Sequence, residues 1–356
     1  MKAGKTLQQL AIEIDRQNEV KRDYIANTSQ MEMHVAFEDE DEKKGVPLLS
    51  LQGMPDFSIN GVAHDQIGTK LGIPSKYYGR MLVEEPNLLA TNVNTWFQKN
   101  PTNRMIRTLD GTARAFLSER YRRIDNYEIA QAVLPMITDM KGAVVESCEL
   151  TDRRMYLKVV NERITTEVVP GDVVQSGLLI SNSETGLGSV SVMPLIYRLV
   201  CKNGMIAADS GKRKYHSGHT NESDEGYEIY RNETIEADDK AFVMKLQDIV
   251  RATADTIQFE RIVSKMKIAT DAKITSNDIP AVVELAAKTH GLFEKEGKGV
   301  LEHLIRGGDL SLYGLANAVT RQAQEVESYD RSTELEMTAW SMLNMSRGEW
   351  SRLNAA

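Results

Sequence analysis

The sequence predicts an α+β fold: a mixed N-terminal part with a central antiparallel β-sheet, followed by an α-helical C-terminal bundle. Two observations carry this expectation. Residues 142–209 alternate short apolar runs with turn-forming text, and residues from about 235 onward carry apolar stripes at helical spacing. The chain has 356 residues, enough to bury a sizeable core without disulfide or metal staples. Charged residues make up 26% and apolar ones 41%, which is globular rather than disordered composition. No run approaches the ~18 apolar residues of a membrane span, and MKAGKTLQQLAIEIDRQ lacks the apolar core of a signal peptide. A soluble, cytoplasmic protein with no membrane partner is expected. Cys148 and Cys201 are too few for a disulfide framework or a four-cysteine zinc site, and both sit in strand-like text as expected buried thiols.

Residues 5–25 are polar and helix-favouring, with Leu7, Leu10 and Ile14 on one face. MEMHVAF (31–37), PLLSLQ (47–52) and FSIN (57–60) predict strands, with the acidic run 38–44 as a solvated loop. Asp65–Leu71 has helical spacing and stops at Gly72; Ser75 is placed to cap a second helix over Lys76–Val83, and Pro86 opens a third. MIRTL (105–109) and ARAFL (113–117) predict a hairpin through Asp110-Gly111. A helix follows at about 126–139, interrupted by Pro135. GAVVESCEL and MYLKVVNE flank the turn Thr151-Asp152-Arg153-Arg154, VVQSGLLIS leads into the polar loop SNSETGLGS (181–189), and SVSVMPLIYRLVC runs to a turn at Lys202-Asn203-Gly204. These turns favour an antiparallel meander.

In the last third, Phe242, Leu246, Ile249, Val250, Thr253 and Ile257 form one stripe, Leu312, Leu315, Ala316, Val319, Ala323 and Val326 a second, and Leu335, Ala339, Met342 and Leu343 a third. The expected organisation is an N-terminal helix or arm with strands (1–60), an α+β core with the antiparallel sheet (61–210), a mobile polar linker (211–236) and a helical bundle (237–356).

The formal net charge of −8 disfavours a nucleic-acid partner until its distribution is counted. Residues 61–125 hold ten basic and six acidic residues, whereas 221–356 hold sixteen and twenty-four. Arg104, Arg107, Arg114, Arg120, Arg122 and Arg123 fall within twenty residues, interleaved with Phe116 and Tyr121. Guanidinium forks suit phosphates and aromatic rings can stack on unpaired bases. The same arginines would also serve to pair with carboxylates of the acidic half.

HDQIGTKLGIPSKYYGRML has a helix–glycine turn–helix layout that would place Lys76, Tyr77, Tyr78 and Arg80 on a reading helix, or simply form a packed αα corner. The 181–189 loop could hold an anion on backbone N–H groups, with Glu184 as a lone acid, or merely connect strands. Lys212-Arg213-Lys214 with His216 and His219 reads as a phosphate-touching loop rather than a zinc site, since a third ligand is missing. No nucleophile elbow, dinucleotide fingerprint or metal set is present, so no catalytic residue, metal or cofactor is expected.

The stretches LGIPSKYYGRM, LLATNVNTWF, RAFLSERYRRIDNYEIAQAVLP, SNSETGLGSVSVMPLIYRLVCKNGMI and LIRGGDLSLYGLANAVTR resemble the phage/plasmid-like protein family, a domain-of-unknown-function family of bacteriophages, plasmids and prophages. The resemblance spans roughly 65–325. It implies a mobile-element setting, and with it DNA replication, recombination or contest with a host. Two functions follow. One is a non-catalytic DNA-binding protein, single strands favoured, similar to single-strand annealing proteins and assembling into homo-oligomers. Its basic groove would be lined by Arg104, Arg107, Arg114, Arg120, Tyr121, Arg122, Arg123, Arg153, Arg154, Lys158, Lys212, Arg213 and Lys214, with Tyr121 and Tyr77 or Tyr78 stacking bases. The other is a protein-interaction or anti-defence factor that meets a host or phage protein through its acidic helical half. An enzyme using Glu184 is a distant third.

Overall fold

The computed structural model describes residues 1–37, 45–210, 212–214, 232–253 and 256–355. Among these, two six-stranded sheets carry the first half of the chain and helices the second, the α+β architecture expected.

The first sheet contains β1 (Arg22–Asn27), β2 (Met31–Ala36), β3 (Val46–Leu51), β4 (Phe57–Ile59), β5 (Asn103–Leu109) and β6 (Thr112–Ser118), in the order β1-β5-β6-β4-β3-β2. All its pairs are antiparallel except β4 with β6. The β5–β6 hairpin turns where expected. Asp110 and Gly111 both have positive φ, 51° and 75°, the conformation that a two-residue turn matching strand twist needs. Helices α2 (Gly61–Lys70), α3 (Ser75–Glu84) and α4 (Pro86–Lys99) cover one face, where Ile67, Leu89, Val93 and Phe97 meet Leu49, Ile106 and Phe116. Ser75 is the first residue of α3, and Pro74 takes the cap position without a side-chain bond.

The second sheet is the expected meander: β7 (Ala143–Leu150), β8 (Met155–Glu167), β9 (Val173–Asn182), β10 (Val190–Arg198) and β11 (Asn203–Ile206) lie in sequence order, and β12 (Lys212–Lys214) also pairs with β10. Both of its faces are covered. On one, Leu157, Val159, Leu178 and Ile180 pack under α1 (Leu7–Val20), α5 (Asn126–Asp139) and α6 (Asn232–Thr253), through residues such as Ile14, Val133 and Leu246. The remaining helices are α7 (Thr256–Asp271), α8 (Ile279–Thr289), α9 (Glu294–Gly307), α10 (Leu312–Gln322), α11 (Tyr329–Leu343) and α12 (Arg347–Leu353), and on the other face Tyr329 of α11 packs with Tyr156, Leu179, Met193 and Leu195. Further along the first face, Phe259, Leu315, Val319 and Trp340 share a core with Val174, Ile196 and Met205. Burial on two faces explains why β9 and β10 read as near-continuous apolar text.

Several expectations change. The first helix ends at Val20, and Arg22–Asn27 is a strand. Pro135 sits inside an unbroken α5. The turn expected at Lys202-Asn203-Gly204 lies earlier: Lys202 carries the positive φ of 50°, while Asn203 and Gly204 begin β11. The stripe on α6 holds through Val250, but Ile257 belongs to α7 and is exposed. The boundary at residue 60 falls inside a sheet, because β1 and β4 pair with β5 and β6. The helical part likewise shares its core with the second sheet rather than standing apart. Cys148 is buried and Cys201 half-buried. Most of the expected linker, and the acidic loop 38–44, lie outside the described residues, although 212–214 form β12 and α6 starts at Asn232.

Candidate nucleic-acid interface

The two sheets meet at the loop between β9 and β10. This SNSETGLGS segment is polar in sequence, text that ordinarily marks an exposed strand connection, yet Ser181, Asn182, Ser183, Glu184 and Thr185 are all buried. Polar atoms so placed must be hydrogen-bonded to be tolerated, and they are. Arg107 donates to the Glu184 carbonyl at 2.9 Å, Gln66 to the Thr185 carbonyl at 2.7 Å, Tyr121 to the Ser183 carbonyl at 3.2 Å and Arg154 to the Leu187 carbonyl at 2.6 Å. The Asn182 amide donates to the Ile124 carbonyl and to Asn126 Oδ1, both at 2.9 Å. The Glu184 carboxylate accepts from the Asn126 backbone N–H at 2.6 Å, at the start of α5, and from Arg114 Nη2 at 2.5 Å. A helix N-terminus and a guanidinium are the partners a buried carboxylate requires.

Arg107 and Arg114 reach this junction for different reasons. Arg107 stands opposite Asp23 in the β1–β5 ladder, and its guanidinium bonds Asp23 through Nε and Nη2 and Asp125 through Nη2 at 2.7 Å. Arg114 is the extra residue of a β-bulge: Arg107 pairs with Ala115 and Thr108 with Ala113, leaving Arg114 without a cross-strand partner. A bulge re-aims the side chain it carries. Here it turns Arg114 toward Glu184. Burial opposes the Asp125 charge, but Arg107 and Lys21 outweigh it and hold its carboxyl below the usual carboxylate range. Burial pushes the Tyr121 hydroxyl up, so it stays a protonated donor.

Three of the expected phosphate contacts are corrected by this geometry. Arg107 is 0% exposed with its donors spent on Asp23, Asp125 and Glu184, and Arg114 is buried against Glu184. Lys158 is also 0% exposed; it pairs with Glu336 of α11 at 2.5 Å and lies over the Tyr329 ring, bolting the second sheet to the helices. Arg107 and Lys158 present no free face to a nucleic-acid strand, and Arg114 none beyond the small cavity it lines, because an ion taken out of water is retained only when paired. Tyr78 is corrected too. Its ring packs on Gly68 and its hydroxyl bonds His64 at 2.9 Å, so α2 and α3 form a packed corner. Burial pushes His64 down to about 4, leaving it neutral.

The remaining cations stay accessible. Arg120, Arg123 and Arg153 are exposed, and Arg104, Arg122 and Arg154 are partly so. Arg123 reaches Asp23 at 3.3 Å while its side chain remains 57% exposed. Arg104 stacks over Phe116 at 6.0 Å, and burial lowers its pKa. Tyr121 is half-buried, and Tyr77 is exposed on α3. The side chains of Lys212, Arg213 and Lys214, and His216 and His219, lie outside the described residues. Two separate segments, 118–126 and the β7–β8 turn 151–154, close on the same loop: Tyr121 holds Ser183, while Thr185 Oγ1 bonds the carbonyls of Asp152 and Arg153, each at 3.4 Å. The exposed arginines therefore form a lip around the buried junction. A cleft of about 560 Å³ elsewhere, lined by Gln30, Glu32, Gln52, Asn94 and Gln98, contains no cation. No cluster that could hold a metal ion occurs among the described residues, and no helix among them is long and apolar enough to cross a membrane.

Sequence reasoning missed Asp23 and Asp125 as the partners of Arg107, the first because its strand was read as the end of a helix. It also missed the bulge, since ARAFL shows no mark of one.

The fold and this junction define a two-sheet α+β protein whose sheets are locked together by buried arginine–carboxylate pairs. A family model described as "Domain of unknown function (DUF932)" matches residues 115–353, and the chain belongs to this family. The match begins inside β6 and takes in the second sheet, the 181–189 loop and the helices through α12. No curated protein and no solved structure gives a significant match.

Proposed function

We propose that the protein binds nucleic acid without covalent chemistry, single-stranded DNA above all, as part of the DNA metabolism of phages or other mobile elements in a bacterial cytoplasm. The observation that carries this reading is the lip. Arg120, Arg122 and Arg123 from one segment and Arg153 and Arg154 from another are brought around one loop, with Tyr121 between them. Guanidiniums spaced along a rigid rim suit a phosphate backbone, and an aromatic edge beside them suits an unpaired base. Holding bases exposed in this way is what strand annealing needs, and homo-oligomers would extend the rim. A second reading, contact with a host or phage protein, is favoured by the twenty-four acidic against sixteen basic residues of 221–356.

An anisotropy titration with single- and double-stranded oligonucleotides across a salt series tests the first reading. About three neutralised phosphates predict a slope of log K against log salt near −2 for single strands. Absence of binding near 50 mM salt removes it, and capture experiments with the full chain then become the relevant test.

A further inference from the structure

We propose that the small cavity between Arg114, Arg153 and Arg154 is a phosphate site that takes the terminal phosphate of a nucleic-acid strand; this rests on the nucleic-acid reading and deepens it. Arg114 is 8% exposed, and its Nη2 is engaged by Glu184, but its Nε–H is buried with no hydrogen-bond partner. A buried donor of a charged group left unpaired is costly, and a fold that tolerates one usually presents it to something. What Arg114 lines is a cavity of about 10 Å³, the room that one water or one phosphate oxygen occupies. Thr151 and the exposed Asp152 and Arg153 form its outer wall, with Arg154 beside them.

The charge around the cavity favours an anion. Among the residues that line it, Arg114, Arg153 and Arg154 are cationic against the acidic Glu184 and Asp152, and Glu184 is already committed to Arg114 and to the start of α5. Arg154 is held in place from behind: its guanidinium donates to the Leu187 carbonyl and packs so closely on Gly188 that a Cβ there would collide with it. The bulge in β6 aims Arg114, the loop holds Arg154, and the exposed Arg153 closes the mouth. A terminal phosphate has three free oxygens, one for the cavity and two for the flanking guanidiniums. An internal diester has only two in all, so the geometry selects an end.

The full-length chain is titrated with inorganic phosphate by calorimetry, and with one short deoxyoligonucleotide carrying either a 5′-phosphate or a 5′-hydroxyl by anisotropy. Saturable phosphate binding is expected, together with a preference of at least about tenfold for the phosphorylated strand, the weight of a charge-assisted pair. Arg153→Ala, a substitution of an exposed side chain that leaves the core intact, should abolish the preference, as should Arg114→Lys; Arg123→Ala should keep it. Equal affinity for the two oligonucleotides with no saturation by phosphate overturns the site and leaves binding along the lip standing. Saturable phosphate binding lost in Arg153→Ala, with no oligonucleotide bound, supports the site and overturns the nucleic-acid reading. A preference that survives both Arg153→Ala and Arg114→Lys places the phosphate elsewhere and overturns the proposal.

Discussion

Arg107 and Arg123 come from the same arginine-rich stretch and both touch Asp23, yet they belong to different parts of the molecule. Arg107 is sealed between the sheets and bonds two carboxylates and a carbonyl, whereas Arg123 leans on the rim of Asp23 with most of its side chain in water. Lys158 and Arg153 repeat the contrast within β8 and the turn before it: one is buried against Glu336, the other exposed at the mouth of the Arg114 cavity. A run of arginines in a sequence thus mixes two currents. Some are counter-ions that let polar elements be buried, and others stand at the surface, where a partner can meet them.

The strongest way to break this comparison is Arg107→Ala. It leaves the Glu184 carbonyl without its Arg107 donor, Asp23 with only the exposed Arg123 and Asp125 with only Lys21, and removing one partner of a buried pair costs about 3–5 kcal/mol. Urea denaturation should show a loss of that size, with strand affinity, where the variant is folded, changed little. A loss below about 1 kcal/mol would show that the junction is wet and that Arg107 belongs with the exposed set.

Acid should find the same junction from the carboxylate side. The Asp125 pKa is depressed in the folded protein, where Arg107 and Lys21 overcome the cost of burial. As pH falls past the ordinary carboxylate value of about 3.9, the unfolded chain therefore takes up the proton first. The stability that Asp125 contributes is complete above that pH and drains away as pH falls through the depressed folded value. Asp125→Asn should be less stable than the parent at pH 6, with the gap closing below about pH 4. A gap that stays constant with pH would mean that Asp125 contributes through shape rather than charge.

The difference between the two sets was legible only in part. Periodicity and turn text carried the hairpin at Asp110-Gly111, the meander of the second sheet and the helical stripes, because each rests on local physics: positive φ, alternation and the 3.6-residue turn. The candidate site depends on long-range placement. Arg107 and Asp23 are 84 positions apart, and Lys158 and Glu336 are 178 apart, so nothing near either cation announces its partner. The 181–189 loop misled for a related reason: Ser, Asn, Thr and Glu ordinarily mark exposed turns, and burying them requires donors supplied by four other segments. Arg22–Asn27 escaped notice as a strand because it lies at a sheet edge with one face open and shows weak alternation.

Arg123→Ala is the smallest perturbation and the sharpest test of the exposed set. Its pair with Asp23 is long, 3.3 Å, and 57% of the side chain is exposed, so the pair is worth about 0–1 kcal/mol. Asp23 keeps both of its bonds to Arg107 when Arg123 is removed, which leaves no buried charge unpaired. Urea denaturation should therefore barely register the substitution. Strand binding should register it clearly, since losing one phosphate contact flattens the salt slope by about 0.7. If the stability falls by more than about 1 kcal/mol while the slope is unchanged, Arg123 is a second structural counter-ion to Asp23. The lip would then be reduced to Arg120 and Arg122 on one side of the loop, with Arg153 and Arg154 on the other.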